Sequence, residues 1–441
     1  MKRKNYIALL KLGFPILIGQ LGLIIVAFAD NIMVGRYSTE AFAASSFVNS
    51  VFNLANLACM GFTYGLTPIV AALFSQGKKF ETGSVMKAAV QVNMLFMLAI
   101  YVILGVVYFN VEHLGQPAEL MPLIRPYFLI ILVTLLPNTL FNLFSQWSYA
   151  VGNSKGPMWI MLFSNVLNIV GNYALIYGNI GAPELGLTGA GISTLIARMV
   201  CPAILLPIFF FSKANAEYAK GFFASKCTES QRLEVFRTSY PISMQMSMES
   251  GSFSVVGVMA GWIGTVAMAS FQIIVIVGTL GFCIYYSFGA AIAALVGNAR
   301  GLGNSNQMKS VAAAGYHIIL VLAAISSIIF YALGPQLISV FTTDKVVIAT
   351  TITLIVPLLL YQLGDATQIT FAGALRGTGN VMPMLWIAFV SYVVIGIPAS
   401  YILAFTAGLG IYGLILSFSF SLFPAGIGFA YFFYKTVKNI R

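Results

Sequence analysis

Long apolar runs, broken at regular intervals by short polar stretches, fill nearly the whole chain. Each is about the ~20 residues that a helix needs to cross a bilayer. The runs fall at roughly 12–34, 45–75, 86–109, 123–148, 158–179, 187–211, 237–260, 268–296, 311–332, 346–373, 382–405 and 410–434. The ~10-residue alternating segments of a membrane β-barrel are absent. The pattern predicts an all-α integral membrane protein with twelve transmembrane helices. Pro15, Pro68, Pro137, Pro241, Pro357 and Pro398 fall inside spans, where they predict bends.

The pattern also repeats. An offset of 226 residues carries Pro15 at the start of the first span onto Pro241 at the start of the seventh. It carries Gly35, Thr39, Ala41 and Ala43 onto Gly261, Thr265, Ala267 and Ala269, and Pro157-Met158 onto Pro383-Met384. Six spans separate the copies, so both begin on the same side of the membrane and are parallel repeats. Two parallel six-helix lobes are expected: residues 1–211, a cytoplasmic inter-lobe linker at 212–236, and residues 237–441. Two lobes around a central cleft suit alternating access.

Composition narrows the class. Of 441 residues, 59% are hydrophobic and 8% charged, which excludes a water-soluble domain. The net charge of +11 suggests nucleic-acid binding only until its distribution is followed. Bases crowd one set of gaps, from Lys2, Arg3 and Lys4 through Lys78, Lys79 and Lys226 to Lys438 and Arg441. Only Arg36 and Lys345 fall in the opposite gaps. That asymmetry is a topology signal: it puts both termini in the cytoplasm and implies no nucleic-acid partner. A multi-pass protein of a bacterial inner (plasma) membrane is expected, with no cleavable signal peptide. Cys59, Cys201, Cys227 and Cys283 show no metal or disulfide spacing.

Of twelve acidic residues, three fall inside spans: Asp30, Glu249 and Asp365. A carboxylate at the bilayer centre is expensive, so pairing, protonation or a bound cation must offset it. Arg125 and Arg198 fall within or at the edge of spans, and Arg198 is the only base expected to be buried. Gln245, Glu249 and Ser252 share one helix face, as do Tyr361, Gln362, Asp365 and Gln368. Oxygen-rich stripes with a carboxylate suit Na⁺, and a carboxylate alone suits a proton. Uncharged stripes follow Thr134, Asn138, Asn142 and Gln146, then Asn165, Asn168 and Asn172, then Asn49, Asn53 and Asn56. Together they predict a wet cavity.

These residues resemble a family. Asp30-Asn31-Ile32-Met33-Val34-Gly35-Arg36 and Ala374-Leu375-Arg376-Gly377-Thr378-Gly379 are similar to motifs of the multidrug and toxic compound extrusion (MATE) transporters, most of all their NorM-type branch. The resemblance covers nearly the whole chain. It matches Asp30, Glu249, Asp365 and Tyr361 to that branch's ionisable and Tyr positions, and Asn168 and Asn172 to its span-five asparagines. The DinF-type branch has an Asp at the second of these, which this chain lacks. The resemblance implies efflux of cationic amphipathic drugs in exchange for Na⁺ or H⁺.

The expectation is therefore a monomeric antiporter, with no cofactor beyond its coupling ion. Glu249, Asp365, Tyr361 and Asp30 serve cation coupling, with Glu249 and Asp365 as Na⁺ ligands. Asn168, Asn172, Asn142, Gln146, Gln245 and Gln368 line the substrate cavity. A lipid-linked precursor flippase is the alternative, although a polyanionic headgroup calls for more intramembrane bases than Arg198. An embedded enzyme such as an acyltransferase would need a nucleophile or a His–acid pair, and His317 has no acid within four residues.

Overall fold

A computed structural model describes residues 3–440; Lys2 and Arg441, two of the bases used above, lie outside the described residues. The described chain is helical almost throughout. The first repeat comprises α1 (Arg3–Tyr37), α2 (Thr39–Thr63), α3 (Leu66–Ser75), α4 (Lys79–Phe109), α5 (Met121–Ala150), α6 (Lys155–Tyr177) and α7 (Gly186–Phe211). A short helix, α8 (Ala216–Ala224), follows. The second repeat comprises α9 (Glu229–Ile263), α10 (Thr265–Gly301), α11 (Ser305–Ser339), α12 (Lys345–Thr353), α13 (Ile355–Gly377), α14 (Met382–Ala388), α15 (Ile397–Tyr401) and α16 (Gly410–Asn439).

The 226-residue offset holds in the helix boundaries. Arg3 and Tyr37 bound α1, and the same offset gives Glu229 and Ile263, the bounds of α9. It also maps the first residues of α2 and α4 onto those of α10 and α11. Gly77 and Gly303, equally spaced, turn the chain after α3 and α10 with φ of 73° and 64°. A side chain at either would be strained.

Among the described residues, ten helical segments are long and apolar enough to cross a membrane, and the α12–α13 pair, bent by 46°, brings the number to eleven. The protein is a multi-pass membrane protein. The one predicted span left uncounted is the seventh, α9. It matches α1 in length, but Glu249 and the serines and glycines around it keep its hydropathy low, so composition alone does not count it.

Three predicted spans are interrupted. The second breaks between α2 and α3 at Gly65, where a Cβ would lie 2.5 Å from the Ser239 backbone. The tenth bends at Leu354, before Pro357 in the first turn of α13, whose ring nitrogen has no hydrogen to donate. The eleventh widens into π-helix at Phe389–Gly396 and again at Ile402–Thr406, on either side of the turn holding Pro398.

The chain divides into two compact units, Ile18–Ser243 and Met1–Leu17 with Met244–Arg441. The divisions fall within α1 and α9, and Leu17 and Ser243 are again 226 residues apart. In the first unit the stretch predicted as linker is mostly helix. α8 lies against α4 so closely that a Cβ on Gly83 would lie 2.0 Å from the Tyr218 carbonyl oxygen, and one on Gly221 2.1 Å from that of Phe80. Lys87 Nζ donates to the Ser225 carbonyl just past α8, at 3.0 Å. In the second unit the start of α1 is tied to α11. Asn5 donates to Ser310 Oγ at 2.8 Å, and the Tyr6 hydroxyl meets His317 Nδ1 at 2.9 Å.

Candidate functional site

Each unit holds its own polar pocket. In the second unit the pocket forms around Glu249 on α9. One turn earlier on the same face, Gln245 Nε2 donates to Glu249 Oε2 at 2.7 Å. From α13, Gln368 Nε2 donates to the same oxygen at 3.2 Å and to the Tyr392 hydroxyl at 2.9 Å. The predicted i, i+4 face is therefore a hydrogen-bonded pair, and the two predicted stripes meet through Gln368. A cavity of about 30 Å³ adjoins them, lined also by Tyr286 and Arg376. That is room for one water or one bare ion.

Asp365 is buried one turn before Gln368 and has no hydrogen-bond partner among the described residues. Its charge and that of Glu249 are within electrostatic reach of each other, but only Glu249 lines the cavity. Tyr361 is buried a further turn back. Its hydroxyl occupies space left by Gly278 on α10, where a Cβ would lie 2.0 Å away. Two buried acceptors in this cluster, Gln245 Oε1 and Gln368 Oε1, have no donor. Among the described residues no three His, Cys, Asp or Glu side chains gather as a metal site. A cation here would have to draw on the amide oxygens as well as the acids.

In the first unit Asp30 accepts a hydrogen bond from Asn172 Nδ2. Asn172 also reaches Asn168 Oδ1 at 3.3 Å, and Asn168 Nδ2 donates to Thr194 Oγ1 at 3.2 Å. The predicted Asn168–Asn172 stripe thus holds Asp30 in place. Beside it lies a cavity of about 500 Å³, lined by Asp30, Asn31, Asn49, Asn53, Thr194 and Arg198 among others. Arg198 NH1 donates to Thr134 Oγ1 at 2.7 Å.

The structure does not bring every predicted cavity residue here. Gln146 is buried and accepts from Thr67 Oγ1 at 2.8 Å. Asn142 donates to Asn138 at 3.5 Å, and Asn138 to Asn56 at 3.2 Å. None of the six residues predicted to line a substrate cavity lines this one: Gln146 and Asn142 stand away from it, Asn168 and Asn172 lie behind Thr194 and Asp30, and Gln245 and Gln368 belong to the Glu249 pocket.

Three polar residues at the Glu249 pocket, Arg376, Tyr286 and Tyr392, lie outside the sequence-based expectation. Arg376 was read as a loop base on the inner side. It is buried in the last turn of α13, so Arg198 is not the only base in the apolar region. Its side chain interacts with the Tyr286 hydroxyl. A base in a final helical turn is favoured by the helix dipole, and that position was the available signal. Tyr392 lies in an apolar run and carries no local signal of its role.

The MatE family model matches residues 15–174 and 241–402, one segment in each repeat. The chain belongs to the MatE family. It is similar to the multidrug resistance protein NorM of Vibrio parahaemolyticus serotype O3:K6, at 30% identity over 95% of this chain and 93% of that protein. It is also similar to the multidrug resistance protein NorM of Vibrio cholerae serotype O1, at 26% identity over 96% and 94%. Among solved structures it shares its fold with an outward-facing multidrug resistance MATE family transporter of the MOP superfamily. That match has a TM-score of 0.89 and 18% identity, over 99% of this chain and 96% of that one. A MOP superfamily transporter from Pyrococcus furiosus has the same TM-score at 19% identity and the same coverage.

Proposed function

We propose that this MatE family member is a multidrug efflux antiporter. It exports cationic amphipathic compounds in exchange for Na⁺ or H⁺ by alternating access, as a monomer in a bacterial inner membrane with both termini cytoplasmic. The observation that carries the coupling is the Glu249 pocket. A carboxylate that receives two amide donors on one oxygen, beside two unpartnered amide oxygens and a nearby second acid, suits a small cation. Glu249, Asp365 and Tyr361 form the coupling site in this reading. Asp30 with Asn168 and Asn172 responds to ion or drug in the first unit. Similarity to NorM proteins along almost the full length supports multidrug export.

The flippase alternative gains a base in Arg376. That base lines a cavity of about 30 Å³, too small for a lipid-linked headgroup. The deciding experiment reconstitutes the protein in proteoliposomes and imposes Na⁺ and pH gradients separately while following a fluorescent organic cation. Export driven by one of the two gradients is expected. Transport indifferent to both would overturn the antiporter reading.

A further inference from the structure

The larger cavity holds two opposite charges that are not paired with each other. Asp30 and Arg198 both line it, yet no ion pair joins them among the described residues. Arg198 spends one of its five donors on Thr134. Asp30 takes one hydrogen bond, from Asn172. Charges held apart in a poorly polarisable setting are costly unless each finds a partner.

The rest of the wall is mixed: amide and hydroxyl groups, including Asn31, Asn49, Asn53 and Thr194, alternate with apolar and aromatic side chains such as Val34, Phe52, Tyr127 and Ile131. Pockets for apolar ligands are mostly lined by hydrophobic and aromatic side chains. This one, of about 500 Å³, is large enough for an organic solute and sets both a carboxylate and a guanidinium beside its apolar surface.

We infer that the cavity of the first unit binds organic zwitterions, with Asp30 receiving the ligand's cationic group and Arg198 its carboxylate or other anionic group. A guanidinium has the planar geometry to hold a carboxylate through two parallel hydrogen bonds. One ligand carrying both charges completes both residues at once. A simple cation leaves Arg198 unanswered, and a simple anion leaves Asp30 so. This inference rests on the exporter reading and narrows its substrates to compounds that carry an acid group beside their cationic one.

Three probes that share one ring separate the charges: phenylalanine, its methyl ester (a cation) and N-acetylphenylalanine (an anion). Equilibrium binding of each is measured to the purified full-length protein in detergent. Phenylalanine is expected to bind at least about tenfold more tightly than either relative, as each charged hydrogen-bonding partner contributes. Arg198→Gln should erase its advantage over the ester but not over the N-acetyl compound. Asp30→Asn should do the reverse. Arg198→Lys, which keeps the charge, should recover part of the preference, and opposite one-sided losses cannot come from misfolding.

Three outcomes overturn the inference: equal or tighter binding of the ester by the unaltered protein, no binding of any probe, or a uniform loss of all three in both variants. A short-chain zwitterionic phospholipid forms a fourth arm. Binding of that lipid without binding of phenylalanine overturns the assignment to a free solute. Gradient-driven cation export without any zwitterion preference refutes this inference alone. A zwitterion preference without gradient-driven export refutes the antiporter reading alone.

Discussion

Gln368 on α13 donates to the same Glu249 oxygen that Gln245 reaches from within α9, at 3.2 Å against 2.7 Å. The carboxylate is fixed from two helices, 119 residues apart in sequence at the Gln368 contact. Such outer partners hold a ligand's orientation as much as the ligand holds the ion. Gln368→Leu should therefore weaken coupling-ion affinity by about 10–100-fold while drug binding persists. Ion titration of export in proteoliposomes reads this directly, and an unchanged half-saturating concentration would count against the site.

Glu249→Gln tests the charge itself. The amide oxygen it introduces can still accept from Gln245 or Gln368, so the fold should survive with a melting temperature near that of the parent. Gradient-driven export should fall to background. Full ion dependence in this variant would show that coupling lies elsewhere.

Asp30→Asn should lower export and leave ion binding by the second unit intact, because its only hydrogen-bonding partner belongs to the first. Asn172 Oδ1 is buried without a donor, so that amide can rotate and accept from the substituted side chain. Ion binding and export are measured in parallel on the same preparation. Export at the parent's rate would make Asp30 a structural residue. Loss of ion binding as well would make it part of one site with Glu249.

Much of this was legible in the sequence, for reasons that also mark where legibility ends. Length and apolarity of the runs dictate helices because a bilayer leaves the backbone no other partner than itself. Spacing by four puts Gln245 and Glu249 on one face, and they are bonded there. Helical periodicity reports which residues share a face but not what stands opposite. Tyr392 carries no such signal, since its role depends on Gln368 and Glu249 meeting it from two other helices. Arg376 was misplaced because a base three residues beyond an apolar run looks like a loop, while α13 runs on to Gly377. Gln146 shares the Asn138–Asn142 stripe, yet α5 turns it toward Thr67, the residue before Pro68 in the first turn of α3. The break between α2 and α3 that places Thr67 there depends on the close approach of Ser239 to Gly65.

That position of Gln146 gives a separate expectation. Gln146→Leu leaves the Thr67 hydroxyl buried without its acceptor, at a cost of about 1–3 kcal/mol. The melting temperature of the purified protein should fall by about 1–3 °C, as the unfolding entropy of a chain this long implies. The gradient dependence of export should be unaltered. A changed drug spectrum at unchanged stability would return Gln146 to the substrate cavity.

Gly83→Ala tests the docking of α8. A methyl group there would meet the Tyr218 carbonyl oxygen. Overpacking of this kind costs about 1–3 kcal/mol, so α8 should detach more often. Trypsin cleavage after Lys220 or Lys226 should then speed up by about tenfold or more, as cleavage follows the population of the opened form. Equal cleavage rates would mean that the contact relaxes without loss.

The division of α1 at Leu17 and of α9 at Ser243 bears on how the protein is made. A ribosome delivers Leu9 and Gly13 early, but the surfaces that cover them come from Phe288 and from the helix around Gly315, hundreds of residues later. The opening segment must therefore wait, already helical and apolar, until the second repeat has been threaded into the bilayer. The unit whose chain starts first is the one that is completed last. A cut between α8 and α9 would yield two fragments of which neither carries a whole unit. They would regain a working protein only by exchanging half-helices, so co-expression of the fragments should succeed where either alone is degraded.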